Sequence, residues 1–210
     1  MTTRKYEPQA DRWTEAAYAD PGGYLGRRAD LVVTLGPPLE RGDSVLDLAC
    51  GDAGLAEPLL ERGLVYLGAD LSRSMIEAAR RRLAGRAEVF LADLNDFRPP
   101  QPVAATTCFR AIYYARQRLP FFRHVAGYTE KKLVFDLNPR RYRLDEVRAD
   151  LRAAGFDRLE LRPFFTPQRA ALPHALAVLL RSVEAVDPLA RAALRFRFSY
   201  LCAASRSGRA

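Results

Sequence analysis

The chain has 210 residues, of which 49% are hydrophobic and 28% charged, a balance that fits one folded domain with a substantial core and argues against wholesale disorder. Its longest apolar run, ALAVLL, is far short of the ~20 residues that span a bilayer, and MTTRKYEPQADRW at the start has no apolar signal core; a cytoplasmic protein with no membrane partner is expected. The formal charge of +8 comes mostly from arginines scattered along the chain, which reads as a solvated surface and weighs against nucleic acid as the main partner while permitting an anionic one.

Residues 9–19, QADRWTEAAYA, predict a helix stopped by DPGG at 20–23, and a second helix runs from about Tyr24 to Leu35, ending at GPP. The pattern then alternates. SVLDLAC predicts a buried strand and GLAEPLLERG a short helix closed by Gly63. LVYLGAD predicts a second strand, followed by a helix in SRSMIEAARRRLAG with Ser72 as its N-cap and Gly85 as its terminator. Further strands are predicted at AEVFLAD, VAATTCF, KKLVFDLN and FDRLELRPF, with helices near 117–127 and across RLDEVRADLRAAG between the last three. A helical insertion over 169–194 precedes a final strand, RFRFSYLCAAS, which lacks the usual crossover helix and is expected to insert antiparallel.

Strands separated by helices of this length imply βαβ units and a doubly wound, mainly parallel seven-stranded α/β sheet of the Rossmann-like class. The expected organisation is a single domain over 1–210: a helical lid at 1–38, the sheet core at 39–206 with its insertion, and a tail at 207–210. Cys50, Cys108 and Cys202 lie far apart in apolar stretches, so free thiols and no metal site are expected.

Ligands of such sheets bind beyond the carboxyl ends of the strands. Gly51 and Gly54 fall in the turn after the first strand, where the absence of a Cβ lets backbone approach a ligand closely. Asp70 ends the second predicted strand and can accept both hydroxyls of a ribose; Asp93 ends the third and can accept an adenine amino proton. One such aspartate is more often a loop or cap residue; carboxylates at successive strand ends beside a glycine turn point to a nucleoside. ACGDAG misses the dinucleotide fingerprint by having Ala49 in place of a glycine, and Asp47 and Asp52 flank the turn. Two carboxylates there repel a pyrophosphate but suit a ligand bearing an ammonium and a sulfonium, which favours S-adenosylmethionine.

VLDLACGDAG, GADLSRSMIEAAR and VFLADLNDF, in that order and at that spacing, resemble the first three motifs of the class I S-adenosylmethionine-dependent methyltransferases, in the broad bacterial small-molecule group. The resemblance covers roughly residues 40–165. It implies that Asp47, Ala49, Gly51, Asp52 and Gly54 wrap the methionine portion and that Asp70 holds the ribose. It also implies that Leu71 and Met75 pack on the adenine, that Asp93 and Leu94 meet the adenine edge, and that Phe109 closes the site. Ala49 and Ala53 depart from glycines common in the first motif, and YTEKK stands where a PGG turn usually precedes the fifth strand.

For the acceptor side, Tyr113 and Tyr114 lie after the fourth strand with Arg110 nearby, and either could orient or deprotonate an acceptor; packing against the sheet is the competing reading. His124, between Phe122 and Val125, reads as structural, whereas His174 lies in the insertion that is expected to shape an acceptor lid. Tyr6, Trp13, Tyr18 and Tyr24 are candidates for a lid over the cofactor, and Arg27 or Arg28 for holding its carboxylate. Arg140 and Arg141 suggest an anionic acceptor. The expected activity is methylation of an oxygen or nitrogen on a small, anionic or aromatic metabolite by a monomer or homodimer. RNA methylation and a non-catalytic nucleoside-binding role are the alternatives.

Overall fold

The computed structural model describes residues 7–138, 141–185, 188, 189, 192 and 200–206, without the side chains of residues 7–9, 174 and 185. Its sheet has seven strands: β1 (Ser44–Leu48), β2 (Val65–Asp70), β3 (Glu88–Leu91), β4 (Val103–Cys108), β5 (Thr129–Leu137), β6 (Arg158–Pro163) and β7 (Tyr200–Ser205), in the order β3-β2-β1-β4-β5-β7-β6. The first five pair in parallel. β7 runs antiparallel to both β5 and β6, so the last strand inserts as its missing crossover suggested. Residues 195–199 of the strand expected there lie outside the described residues.

Burial explains the strand sequences. Every residue of β4 and β7 is buried, and both read as continuous apolar or small runs because helices cover both faces. The edge strand β6, RLELRP, keeps a polar–apolar alternation. Along β1, Val45 faces a core built with α2 (Pro21–Thr34), α3 (Ala56–Glu61) and α4 (Arg73–Leu83), while Leu46 and Leu48 face the opposite core with α5 (Arg118–Ala126) and α6 (Leu144–Ala153). β5 alternates likewise: Leu133, Phe135 and Leu137 go to the second core, Val134 to the first. Asp136 therefore falls on the face that α2 covers.

The helices begin and end for local reasons. Asp20 caps α2 by accepting the Gly23 amide at 2.9 Å, with Pro21 in the first turn. Ser72 caps α4, which stops at Ala84 in the left-handed region (φ +49°) with three arginines in its last turn. The expected first helix is a 3-10 turn over Glu7–Arg12 followed by the short α1 (Trp13–Ala17). Fully buried Lys132 closes the far end of α2, its ammonium donating to the carbonyls of Leu35 (2.7 Å) and Val33 (3.1 Å). Burial pulls its pKa down to about 7.

The insertion contributes α7 (His174–Ala185), tied down by Glu184, whose buried carboxylate accepts from Arg27 (2.6 Å) and from the Phe165 amide (2.8 Å). Among the described residues, no helix is long and apolar enough to cross a membrane. The three cysteines are free and buried.

Candidate active site

A cleft of about 560 Å3 opens at the carboxyl ends of β1, β2 and β4 and is roofed by α1 and the start of α2. Asp47, Ala49, Gly51, Asp52, Gly54, Asp70, Leu71, Met75, Asp93, Leu94, Phe109, Arg28 and Tyr18 all line it, as do Tyr113 and Tyr114. Of the lid and carboxylate candidates, Trp13 also lines it, Tyr24 and Arg27 do not, and Tyr6 lies outside the described residues. His174 opens α7, and its side chain is outside the described residues.

The turn after β1 is shaped by left-handed backbone at Ala49 (φ +58°), Gly51 (φ +60°) and Ala53 (φ +59°). The two alanines occupy that region at a cost of roughly 1–2 kcal/mol each, a conformation that a glycine would adopt freely. Asp70 holds the turn: its carboxylate accepts the Gly51 amide at 2.9 Å and the Ser72 amide at 2.8 Å. Burial raises its pKa, and these amides pull the other way. Asp47, fully enclosed, accepts from Thr107 (2.7 Å) and Tyr66 (3.0 Å), yet burial still lifts its pKa to about 6. Such a carboxylate gains most when a cation comes to rest beside it.

Asp52 requires a correction. It is buried, but its carboxylate accepts from the Thr14 amide (3.0 Å) and hydroxyl (2.5 Å) and pairs with Arg82 (2.8 Å). Its charge is neutralised within the fold, so only Asp47 of the flanking pair offers negative charge to a ligand. The reading of Gly54 changes for the same reason: a Cβ there would lie 2.1 Å from the Thr14 hydroxyl. Gly54 admits the N-terminal segment, and Gly51 lies under Trp13, whose ring would meet an added Cβ at 3.3 Å. Two arginines of the α4 triplet reach the N-terminal segment: exposed Arg81 pairs with Asp11, and half-buried Arg82 pairs with Glu15 (2.9 Å) as well as Asp52.

Deeper in the cleft, Arg28 is buried beneath Phe109, its guanidinium 4.4 Å from that ring and 4.9 Å from the Tyr24 ring. One terminal nitrogen donates to Asp136 (2.8 Å) and Tyr24 (3.0 Å), and the paired charges hold the Arg28 pKa above its ordinary value. The Nε is buried with no hydrogen-bond partner among the described residues. A buried, unsatisfied donor on a cation lining a cleft fits a carboxylate ligand. With the Asp70 carboxylate beside exposed Leu71 and buried Met75, the residues present fit S-adenosylmethionine: an acceptor for ribose hydroxyls, apolar faces for a base and a cationic donor for a carboxylate.

At the other end, Asp93 sits two residues past β3, not on it. It accepts from Asn95 (2.8 and 2.7 Å) and Arg116 (2.9 Å), and these partners hold its pKa below the ordinary value against the opposing effect of burial. The Tyr113 and Tyr114 rings touch at a 51° tilt with centroids 4.3 Å apart, and Tyr113 is 41% exposed. Arg141 stands 5.1 Å from the Tyr113 ring but does not line the cleft, and Arg140 lies outside the described residues. His124 bonds the Phe97 carbonyl at 2.7 Å, the structural role expected of it. Sequence reasoning missed Thr14, Arg82, Asn95, Arg116 and Asp136. Only Asp136 carried a signal, since it too is an aspartate near a strand's carboxyl end.

Residues 45–132 match a family described as a methyltransferase domain. No curated protein matches the chain. Among solved structures, one from the complex between the Haloferax volcanii Trm112 methyltransferase activator and a methyltransferase is 18% identical with a TM-score of 0.69 over 100% of both chains. A TehB-like SAM-dependent methyltransferase from Corynebacterium glutamicum is 16% identical, TM-score 0.65, over 98% of this chain and 100% of that one. The magnesium protoporphyrin IX methyltransferase of Synechocystis PCC 6803 with bound SAM is 18% identical, TM-score 0.59, over 88% of this chain and 80% of that one.

Proposed function

We infer that the chain, a class I S-adenosylmethionine-dependent methyltransferase, methylates an oxygen or nitrogen of a small anionic or aromatic metabolite. The observation that carries this reading is the roof of the cleft. Trp13 and Thr14 are seated on the glycine turn, and Gln168 from the segment before α7 donates to the Ala17 carbonyl at 2.9 Å while accepting from the Ala19 amide at 2.9 Å. This cover over the cofactor turn supports a compact acceptor over a nucleic-acid strand. The cleft volume of about 560 Å3 also lies in the range of small-molecule sites, about 300–1,000 Å3.

S-adenosylmethionine supplies the methyl group on a sulfonium, already activated for transfer. The chain's part is to bind, orient and exclude water. Asp70 would hold the ribose, Leu71, Met75 and Leu94 the adenine faces, and Asp93 its edge. Asp47 would face the cationic methionine portion, within the turn formed by Ala49, Gly51, Asp52 and Gly54, while the Arg28 Nε takes its carboxylate. Tyr18 and Phe109 would close the site, and Tyr113 or Tyr114 would orient the acceptor hydroxyl or amine and receive its proton where one must leave.

A second reading, in which RNA is the acceptor, draws on the charge of +8 and would accommodate an activator subunit like that of the Haloferax complex. Arg27, Arg28, Arg62, Arg81, Arg82, Arg86, Arg116 and Arg118 each pair with a carboxylate and are to that extent less free to hold phosphates, although the net excess of positive charge remains. The test supplies methyl-labelled S-adenosylmethionine with either the small-molecule fraction or the total RNA of a cell extract. Label in the small molecules is expected; label confined to RNA would replace the first reading with the second.

A further inference from the structure

We propose that Arg110 selects the acceptor by its charge, taking an organic anion whose negative group lies beside a planar ring. This inference rests on the small-molecule reading above and names the chemistry of its acceptor. Three cations line the cleft: Arg28, Arg110 and Arg116. Arg28 is paired with Asp136, and Arg116 with Asp93 and Asp96. Among the described residues, no carboxylate lies within ion-pair distance of the Arg110 guanidinium. A cation that lines a partly desolvated cleft without a counter-ion attracts an anion more strongly than one already paired.

The backbone shows that this placement is held against resistance. Arg110 has φ +54°, a left-handed conformation that a side-chain-bearing residue adopts at a cost of roughly 1–2 kcal/mol. It persists because its amide donates to Asp136 at 2.6 Å, the same carboxylate that holds Arg28 through its other oxygen. Asp136 thereby sets both cations at once: one buried under Phe109, the other turned toward the roof. The Arg110 guanidinium lies 6.0 Å from the Trp13 ring and 6.0 Å from the Tyr18 ring. The aromatic rings of Trp13 and Tyr18, with Tyr113 and Tyr114 in the same lining, give a planar acceptor ring surfaces to pack on while its charge meets Arg110.

Selection works in both directions. A carboxylate beside the acceptor atom gains a charge-assisted, two-pronged partner, whereas a protonated amine is repelled by the same cation. Assigning Arg110 instead to the cofactor's carboxylate would leave the buried Arg28 Nε unsatisfied.

The experiment divides the small-molecule fraction of a cell extract on an anion exchanger and offers each half as acceptor with labelled S-adenosylmethionine. Label is expected in the retained, anionic half. Arg110→Asn is the variant of choice, because asparagine tolerates the left-handed backbone. It should need about 30-fold more of that fraction for half-saturation, the scale of one charge-assisted hydrogen-bonded pair, with maximal rate and S-adenosylhomocysteine affinity little changed. Arg110→Lys should recover most of the loss. Label in the flow-through alone, or wild-type saturation by Arg110→Asn, overturns the proposal and leaves the small-molecule reading intact. An equal loss of S-adenosylhomocysteine affinity in Arg110→Asn overturns it by reassigning the residue to the cofactor. Label in neither half removes the small-molecule reading, and this proposal with it.

Discussion

The two ends of the cleft are built on opposite principles. Around the turn after β1, every carboxylate already has partners: Asp47 has Thr107 and Tyr66, Asp52 has Thr14 and Arg82, and Asp70 has the amides of Gly51 and Ser72. After β4, Tyr113 keeps 41% of its surface exposed and Arg110 has no counter-ion among the described residues. At the first end the carboxylates are set before a ligand arrives, and the Arg28 Nε is the donor left over among the described residues; the second end is finished by the ligand. A ligand shared by many enzymes can be met with a pre-set shape, whereas an acceptor peculiar to one enzyme must be met by whatever groups are left unsatisfied for it.

Removing Arg28 breaks this comparison most severely, because it takes away the bond that joins the two ends. Arg28→Met would leave Asp136 a mostly buried carboxylate without its cation, an error worth about 3–5 kcal/mol. A fall in melting temperature of about 10 °C is expected for a domain of this size; unchanged melting would show that the Arg28–Asp136 pair does not hold the cleft together.

The next effect is one of pH and sharpens the account of the completed end. The Asp47 pKa is lifted from 3.8 to about 6 by burial. A raised pKa means that this group's contribution to the stability of the ligand-free protein is fully present below its unfolded value of 3.8 and is lost as pH rises through about 6. Glu15, Asp43, Glu57 and Asp93 have lowered values and act at more acid pH, below 4.5; Asp70, also raised, acts in the same direction as Asp47. If Asp47 faces the cationic methionine portion as proposed, cofactor binding runs the opposite way, because it needs the carboxylate ionised. Titration calorimetry should show S-adenosylmethionine affinity rising about tenfold from pH 5 to pH 7, and a flatter profile in Asp47→Asn. An equally steep profile in that variant would detach Asp47 from the ligand.

The smallest effect concerns the roof. Thr14→Val keeps the shape of the side chain but loses its hydroxyl bond to Asp52, about 1 kcal/mol. S-adenosylhomocysteine should then leave about fivefold faster in stopped-flow measurements. Equal rates would mean that the roof stays closed during exchange or is held by Arg82 alone.

The same contrast decides what could be read from the amino-acid sequence. Asp47, Asp70 and Asp93 were legible because strand periodicity places them at one edge of the sheet, and a glycine-bearing turn marks which edge. The antiparallel last strand was legible from its missing crossover helix. The sheet order was not, since hydrophobic alternation records burial and not neighbours. Nor was the fate of Asp52: its partners Thr14 and Arg82 lie 38 and 30 residues away, and nothing local distinguishes an aspartate that binds a ligand from one that fastens a helix. The Arg28–Asp136 bond spans 108 residues and depends on α2 crossing the end of β5, a packing relation that no periodicity encodes. The unpaired state of Arg110 is harder still to read, because it is defined by what all its neighbours do instead.

The position of β7 also bears on how the protein is made. Every residue of this strand is buried, and it sits between β5 and β6, pairing with both, although it is synthesised after them. While a ribosome is still adding residues up to 200–205, β5 has an unpaired edge, and so does β6. Unpaired strand edges invite association with other chains. The turn that would cradle the cofactor is synthesised early, but Asp136, which positions Arg28 and Arg110, lies on a strand that waits for its neighbour. The nascent chain therefore passes through a stage with its cofactor motifs complete and its sheet open, and a chaperone has most to protect during that interval.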